Sequence, residues 1–167
     1  MNIVVPLVSF VFLSVAQDVH FAATPMPVVD AMLRIAQVGP RDVVYDLGSG
    51  DGRIVMLAAQ KYGARAVGIE IDPRLIELSR QVARDGEVGD RVKFVQGDFF
   101  TADISEATVV TLWLGEGLNA RLEPKLRREL RAGARVVSHQ FRMAGWREDR
   151  TVRVDGEDVF LWTVPPR

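Results

Sequence analysis

The chain has no cysteine, which excludes disulfides, thiolate metal sites and thiol nucleophiles. Histidine is scarce: His20 and His139 are the only two, too far apart in sequence for a zinc motif, so no metal is expected. Neither sign of charge dominates. Lys and Arg total 21 against 22 Asp and Glu, a formal net charge of -1, so no basic excess points to nucleic acid and none is expected as a partner. There is no internal repeat, no low-complexity linker, and no Gly-Lys-Ser/Thr ending of the kind a phosphate-binding P-loop needs. What remains is 167 residues, 48% hydrophobic and 26% charged, ordinary values for one globular domain with a sizeable core.

Residues 3–16 are almost all apolar, and the first Lys or Arg is Arg34. At about 1.5 Å per residue such a helix reaches roughly 21 Å, short of a bilayer's roughly 30 Å hydrocarbon core. Ser14, Val15 and Ala16 resemble a small-x-small cleavage site, but the positive charge that precedes a secretory signal is missing. An export signal or membrane-associated segment and a simple apolar arm both stay open. Residues 1–23 are set apart as this arm, and residues 24–167 are expected to form the domain.

From Thr24 onward, strand and helix patterns alternate. Thr24 is expected to cap a helix with Pro25 at its first position and Val29, Met32, Leu33 and Ala36 at helical spacing, ended by Gly39 and Pro40. Asp42–Leu47 is a buried-strand pattern followed by the glycine-rich stretch Gly48–Gly52, and Arg53–Tyr62 is helical with Gly63 as its stop. Ala66–Ile71 makes a second strand. Pro73 opens a helix carrying Leu75, Leu78 and Val82 that stops near Gly86. Val92–Gln96 and Thr108–Leu114 are further strands, Leu122, Leu126 and Leu130 a helical stripe, and Arg135–Ser138 a fifth strand. Thr151–Val154 and Val159–Val164, joined through Asp155 and Gly156, form a terminal hairpin. Such alternation implies an α/β fold, a parallel sheet covered by helices on both faces with one antiparallel strand from the hairpin. Ligands then sit beyond the C-terminal strand ends, after Leu47, Glu70, Gln96 and Leu114.

The stretch DLGSGDGR places Gly48, Gly50 and Gly52 between a strand and a helix. Glycines there let the chain turn sharply and let backbone N–H groups approach a ligand. A dinucleotide fold wants G-x-G-x-x-G, but position 53 is Arg53, which weakens that reading. Glu70, at the second strand's end, can accept hydrogen bonds from two ribose hydroxyls. Asp98, after the third strand, can accept from an adenine amine, with Phe99 or Ile71 against the ring. Asp46 can counter an ammonium group. Adenosine, a cationic amino-acid tail and no phosphate describe S-adenosylmethionine. Each residue also has a bland role: Asp46 as a turn cap, Asp98 as a solvated acid, Phe99 as core.

These residues make the chain similar to class I, S-adenosylmethionine-dependent methyltransferases, and more narrowly to the small archaeal and bacterial protein-lysine methyltransferases related to the mitochondrial enzymes that methylate an ATP synthase subunit. The resemblance runs from about Phe21 to Trp146 through VYDLGSGDGRI (44–54), VGIEID (67–72), DISEATVVT (103–111), PKLRREL (124–130), GARVVSH (133–139) and the pair Gly145 and Trp146. It implies a three-layer Rossmann-like fold with a mostly parallel seven-stranded sheet and a C-terminal antiparallel hairpin. It further implies S-adenosylmethionine as cofactor, held by Asp46, Gly48, Gly50, Glu70 and Asp98, and a protein substrate presenting lysine; Ser49, Ile71 and Phe99 complete the candidate cofactor-binding set. A Tyr- and Pro-rich lid segment is expected before the first helix, but Phe21 and Ala23 stand at those positions. The donor is made in the cytosol, so a cytoplasmic location is expected, with membrane association through residues 3–16 as a variant of it.

The loop after the fourth strand, LWLGEGLN (112–119), lacks the Asn/Asp-Pro-Pro-Tyr/Phe sequence of adenine and glutamine methyltransferases. In it Trp113 can wall an alkyl channel, Glu116 attract an ammonium and Asn119 accept a hydrogen bond, these three being the candidate catalytic residues. Trp113 as core, Glu116 as a solvated loop acid and Asn119 as a helix cap are the structural alternatives. His139 is expected to be a structural hydrogen bonder. A small-molecule N- or O-methyltransferase and a non-catalytic nucleotide-binding module are the competing functions.

Overall fold

In the computed structural model, residues 23–166 are described; the apolar run 3–16 and Phe21 lie outside them. Seven strands make one sheet in the order β3-β2-β1-β4-β5-β7-β6. β1 (Val43–Leu47), β2 (Arg65–Glu70), β3 (Val92–Gln96), β4 (Val109–Leu112) and β5 (Arg135–His139) run parallel, and β7 (Glu157–Thr163) is antiparallel to both β5 and β6 (Arg150–Val154). The three-layer Rossmann-like architecture and the terminal hairpin stand as expected.

Alternation along the strands sorts the core onto two faces. Val44, Ala66, Val109, Val137 and Val159 pack against α1 (Met26–Ile35), α2 (Arg53–Tyr62) and α3 (Pro73–Asp85). Their neighbours Val43, Tyr45, Leu47, Val110, Leu112, Val136 and Trp162 pack against Leu122, Leu126 and Leu130 of α4 (Glu116–Glu129). Arg135 ties the α1–β1 connection to β5, donating to the Ala36 carbonyl at 2.7 Å and pairing with Asp42.

Three expectations are corrected. Pro25, not Thr24, is the residue before α1, and no side chain caps that helix. Thr24 is buried and offers its carbonyl to Arg53 instead. On α3 the inward residues are Ile76 and Ser79, while Leu78 and Val82 are 48% and 39% exposed. The apolar stripe read from the sequence is thus not the core face. Finally, β4 ends at Leu112, two residues early, because Trp113 and Leu114 leave the ladder to turn through Gly115 (φ +99°) into α4.

Candidate active site

The glycine loop between β1 and α2 closes over the C-terminal end of β2. The N–H groups of Gly48 and Ser49 both donate to the Ile69 carbonyl, at 2.8 and 3.0 Å. Gly48 has φ +79°, and a Cβ there would lie 2.9 Å from Leu114. Gly52, at φ +82°, would place a Cβ 2.6 Å from the Phe94 ring. These two positions therefore demand glycine for both conformation and space. Asp51 and Arg53 form a fork at the head of α2, with guanidinium–carboxylate contacts down to 2.6 Å, and Arg53 also donates to the Thr24 carbonyl at 2.9 Å.

Glu70 is buried and already bound to the loop. One oxygen accepts from the Gly50 N–H at 3.0 Å, the other from the N–H groups of Ile71 and Asp72 at 2.8 and 2.9 Å. The two oxygens of a carboxylate offer about four acceptor positions, and three are taken, so Glu70 fixes the loop and keeps capacity for a further donor. Ile71 beside it is 50% exposed. Asp98 is exposed, one oxygen accepting from the Phe100 N–H at 2.8 Å. Phe99 is half-buried and reaches to 3.9 Å from a Cβ placed on Gly48.

Asp46 is almost wholly buried. Burial pushes its carboxyl pKa up to about 7; the hydroxyl of Thr111 pulls it down, and Glu70 and Asp51 push it up. Among the described residues no Lys or Arg pairs with it. A buried acid with two acidic neighbours and no cation is a poor place for pyrophosphate and a good one for a cationic ligand group. Ser49 adds a buried hydroxyl oxygen with no hydrogen-bond partner among the described residues.

On the other side of β4, Trp113 stacks on His139, with ring centroids 4.7 Å apart, and donates its indole N–H to Gln140 at 3.1 Å. Glu116 is exposed in the first turn of α4, where a carboxylate is favoured by the helix dipole. Asn119 is fully buried. Its amide donates to Ser138 and to the Phe141 carbonyl, each at 3.0 Å, while its oxygen accepts nothing among the described residues. His139 is a buried ring whose nitrogens make no well-formed hydrogen bond among the described residues, Nε2 lying 3.5 Å from a Glu157 oxygen. It packs where a hydrogen bonder was expected. Burial lowers its pKa, with Glu157 acting in the opposite direction.

The ANTKMT methyltransferase domain matches residues 46–150. The chain is 46% identical to a protein-lysine N-methyltransferase of Saccharolobus islandicus over 91% of its own length and 98% of the relative's. The chain belongs to the ANTKMT methyltransferase family. It is also 38% identical to the human lysine N-methyltransferase of the ATP synthase c-subunit, over 71% of this chain and 49% of that protein, so it spans only about half of that relative. Among solved structures, one described as an RNA methyltransferase from Salinibacter ruber, in complex with S-adenosyl-L-homocysteine, superposes with a TM-score of 0.86 at 55% identity. The match covers 87% of this chain and 95% of that one.

Three residues of this family member escaped the sequence reading. Ser79 places its hydroxyl between the Gly50 carbonyl at 2.9 Å and the Leu75 carbonyl of its own helix at 2.8 Å, and so links α3 to the loop; a lone serine on a helix face gives little signal. Arg53 joins the loop to the segment before α1, a link that only the fold creates. Thr111 donates to Asp46 at 2.7 Å, but in VVTL a threonine reads as one more β-branched strand former.

Proposed function

We propose that this methyltransferase transfers a methyl group from S-adenosylmethionine to the side-chain amine of lysine in a protein. The observation that carries the reading is Asp46, a buried carboxylate with no cationic partner among the described residues, flanked by Glu70 and by a loop of bare N–H groups. That arrangement fits an ammonium-bearing nucleoside with no phosphate, and the family membership and the lysine methyltransferase relatives support the acceptor. In this assignment Asp46 receives the amino-acid ammonium, Gly48, Ser49 and Gly50 line the tail, Glu70 takes a ribose hydroxyl, and Ile71, Asp98 and Phe99 hold the adenine.

When bound, S-adenosylmethionine supplies a methyl carbon made electrophilic by its sulfonium. The residues of the chain align the acceptor with it and deliver that acceptor uncharged. A lysine of pKa about 10.4 is neutral in roughly one molecule per 2,500 at pH 7, a cost of about 4.6 kcal/mol, and desolvation lowers that cost. We assign the alkyl-channel wall to Trp113, attraction of the incoming ammonium to Glu116, and acceptance of a hydrogen bond to the Asn119 oxygen. With Trp113→Ala, kcat/KM for a protein acceptor falls roughly 10- to 100-fold while calorimetric affinity for S-adenosylhomocysteine is unchanged. Cytosolic synthesis of the donor favours the cytosol as the enzyme's location.

Transfer to RNA is the second reading, favoured by the description of the Salinibacter ruber structure. Asp98 and Glu116 stand exposed near the site, and Arg53 and Arg74 beside the glycine loop and β2 are each paired with a carboxylate, which disfavours a polyanion. Labelled S-adenosylmethionine given to a mixture of cell protein and RNA decides between them. Radioactive methyllysine after acid hydrolysis is the expected product; label confined to nucleosides or to small molecules overturns the proposal.

A further inference from the structure

We propose that Thr111 is a positioning residue for the cofactor: its hydroxyl, donated across the β1–β4 ladder, orients the Asp46 carboxyl and favours the charged form that the ammonium of the donor's amino-acid tail meets. The inference rests on the role given to Asp46 above and goes beyond it, since Thr111 is fully buried and acts through Asp46.

Asp46 and Thr111 are directly paired residues of adjacent parallel strands, so both side chains leave the sheet on the same face. Thr111 is fully buried and Asp46 nearly so. The hydroxyl has one proton and two acceptors within reach, the Asp46 carboxylate at 2.7 Å and the Tyr45 carbonyl at 3.5 Å. The shorter, charge-assisted bond takes the proton. As a β-branched residue in a central strand, Thr111 has little rotamer freedom, so the donor is fixed before any ligand arrives. Among the described residues no other side chain donates to that carboxylate.

What surrounds the pair makes the donor matter. Glu70 at the end of β2 and Asp51 in the glycine loop both oppose ionisation of Asp46. Arg53, at the head of α2, is engaged with Asp51. His139 on β5, its pKa lowered by burial, faces Glu157, Asp72 beyond β2 is paired with Arg74, and Asp98 and Glu116 are exposed. Among the described residues Thr111 is thus the one neighbour that favours the charged form, which the ligand ammonium requires.

Calorimetry with S-adenosylhomocysteine, which carries the ammonium, and with 5′-methylthioadenosine, which lacks the amino-acid tail, tests this between pH 5.5 and 8. For the wild type, S-adenosylhomocysteine affinity rises with pH and levels off near 7. With the near-isosteric Thr111→Val, affinity at pH 7 drops roughly ten-fold and is still climbing at pH 8, while methylthioadenosine binding changes less than about two-fold. Thr111→Ser, which keeps the hydroxyl, restores the wild-type profile. Equal losses for both ligands at every pH, or no loss for either, overturn the proposal. Asp46→Asn separates the two levels of the argument. If it weakens S-adenosylhomocysteine alone while Thr111→Val does not shift the profile, the reading of Asp46 stands and this proposal falls. If it weakens neither ligand, both fall.

Discussion

At the scale of single residues, the site is a set of acids held in different states by different surroundings. Asp46 is the extreme case. Its pKa in the folded protein is raised from 3.8 to about 7, so between those values the native chain holds a proton that the unfolded chain has lost. Stability of the cofactor-free protein therefore falls as pH rises through this window and levels off above about 7. An ammonium placed beside Asp46 draws that proton off, so the gain in Tm on adding S-adenosylhomocysteine is expected to widen from pH 5.5 to 7.5. The underlying affinity should gain up to about ten-fold per pH unit, and thermal denaturation of Asp46→Asn should show no such widening. Glu70 is held differently, its two oxygens accepting from three backbone N–H groups. In Glu70→Gln one oxygen becomes an NH₂ that cannot accept. A loss of about 1–3 kcal/mol in urea unfolding is expected, together with cofactor affinity reduced beyond calorimetric detection. Asp46 and Glu70 stood out in the sequence because an acid at a strand end beside glycines is chemically conspicuous. Thr111 and Ser79 did not, because a hydroxyl inside an apolar element carries no mark of what it bonds.

At the scale of elements, the placement of the loop depends on tight contacts beneath it. Gly68 in β2 lies under the loop: a Cβ there would sit 2.6 Å from the Ser49 hydroxyl oxygen and 2.7 Å from the Phe94 ring. Gly68→Ala must push one of them away. A destabilisation of about 1–3 kcal/mol by chemical denaturation and weaker S-adenosylhomocysteine binding are expected together. Gly39→Ala, where nothing lies within 4 Å, serves as the neutral control in both measurements. Glycine stops marked the ends of α2 and α3, at Gly63 and Gly86, whereas α1 stops at Ile35, ahead of the expected Gly39, and periodicity misjudged which side of α3 faces inward. The helix is amphipathic in two ways: Leu78 and Val82 offer more apolar surface, yet Ile76 and Ser79 face the sheet. The register is set by Ser79 reaching the Gly50 carbonyl and Arg80 reaching the Phe94 carbonyl at 3.1 Å, bonds that a hydrophobic pattern does not contain.

At the scale of the molecule, the parallel sheet was legible because strands alternating with helices leave few other arrangements, and the Asp155–Gly156 turn marked the hairpin. What the pattern did not show is that β7 enters between β5 and β6, which carries Trp162 and Phe160 into the core opposite α4. Trp162 is fully buried and its indole donates to the Trp146 carbonyl at 2.7 Å. Trp162→Ala is expected to cost about 3–5 kcal/mol, measured as a loss in the urea midpoint with the slope unchanged. The last consequence comes from the Arg53 guanidinium, which holds the Asp51 carboxylate and the Thr24 carbonyl at once. The backbone leading into α1 is moored to the very turn to which the donor's tail is assigned. Any fluorophore, affinity tag or fusion partner joined just upstream of Thr24 will therefore pull on that turn, and will serve as a reporter of its occupancy.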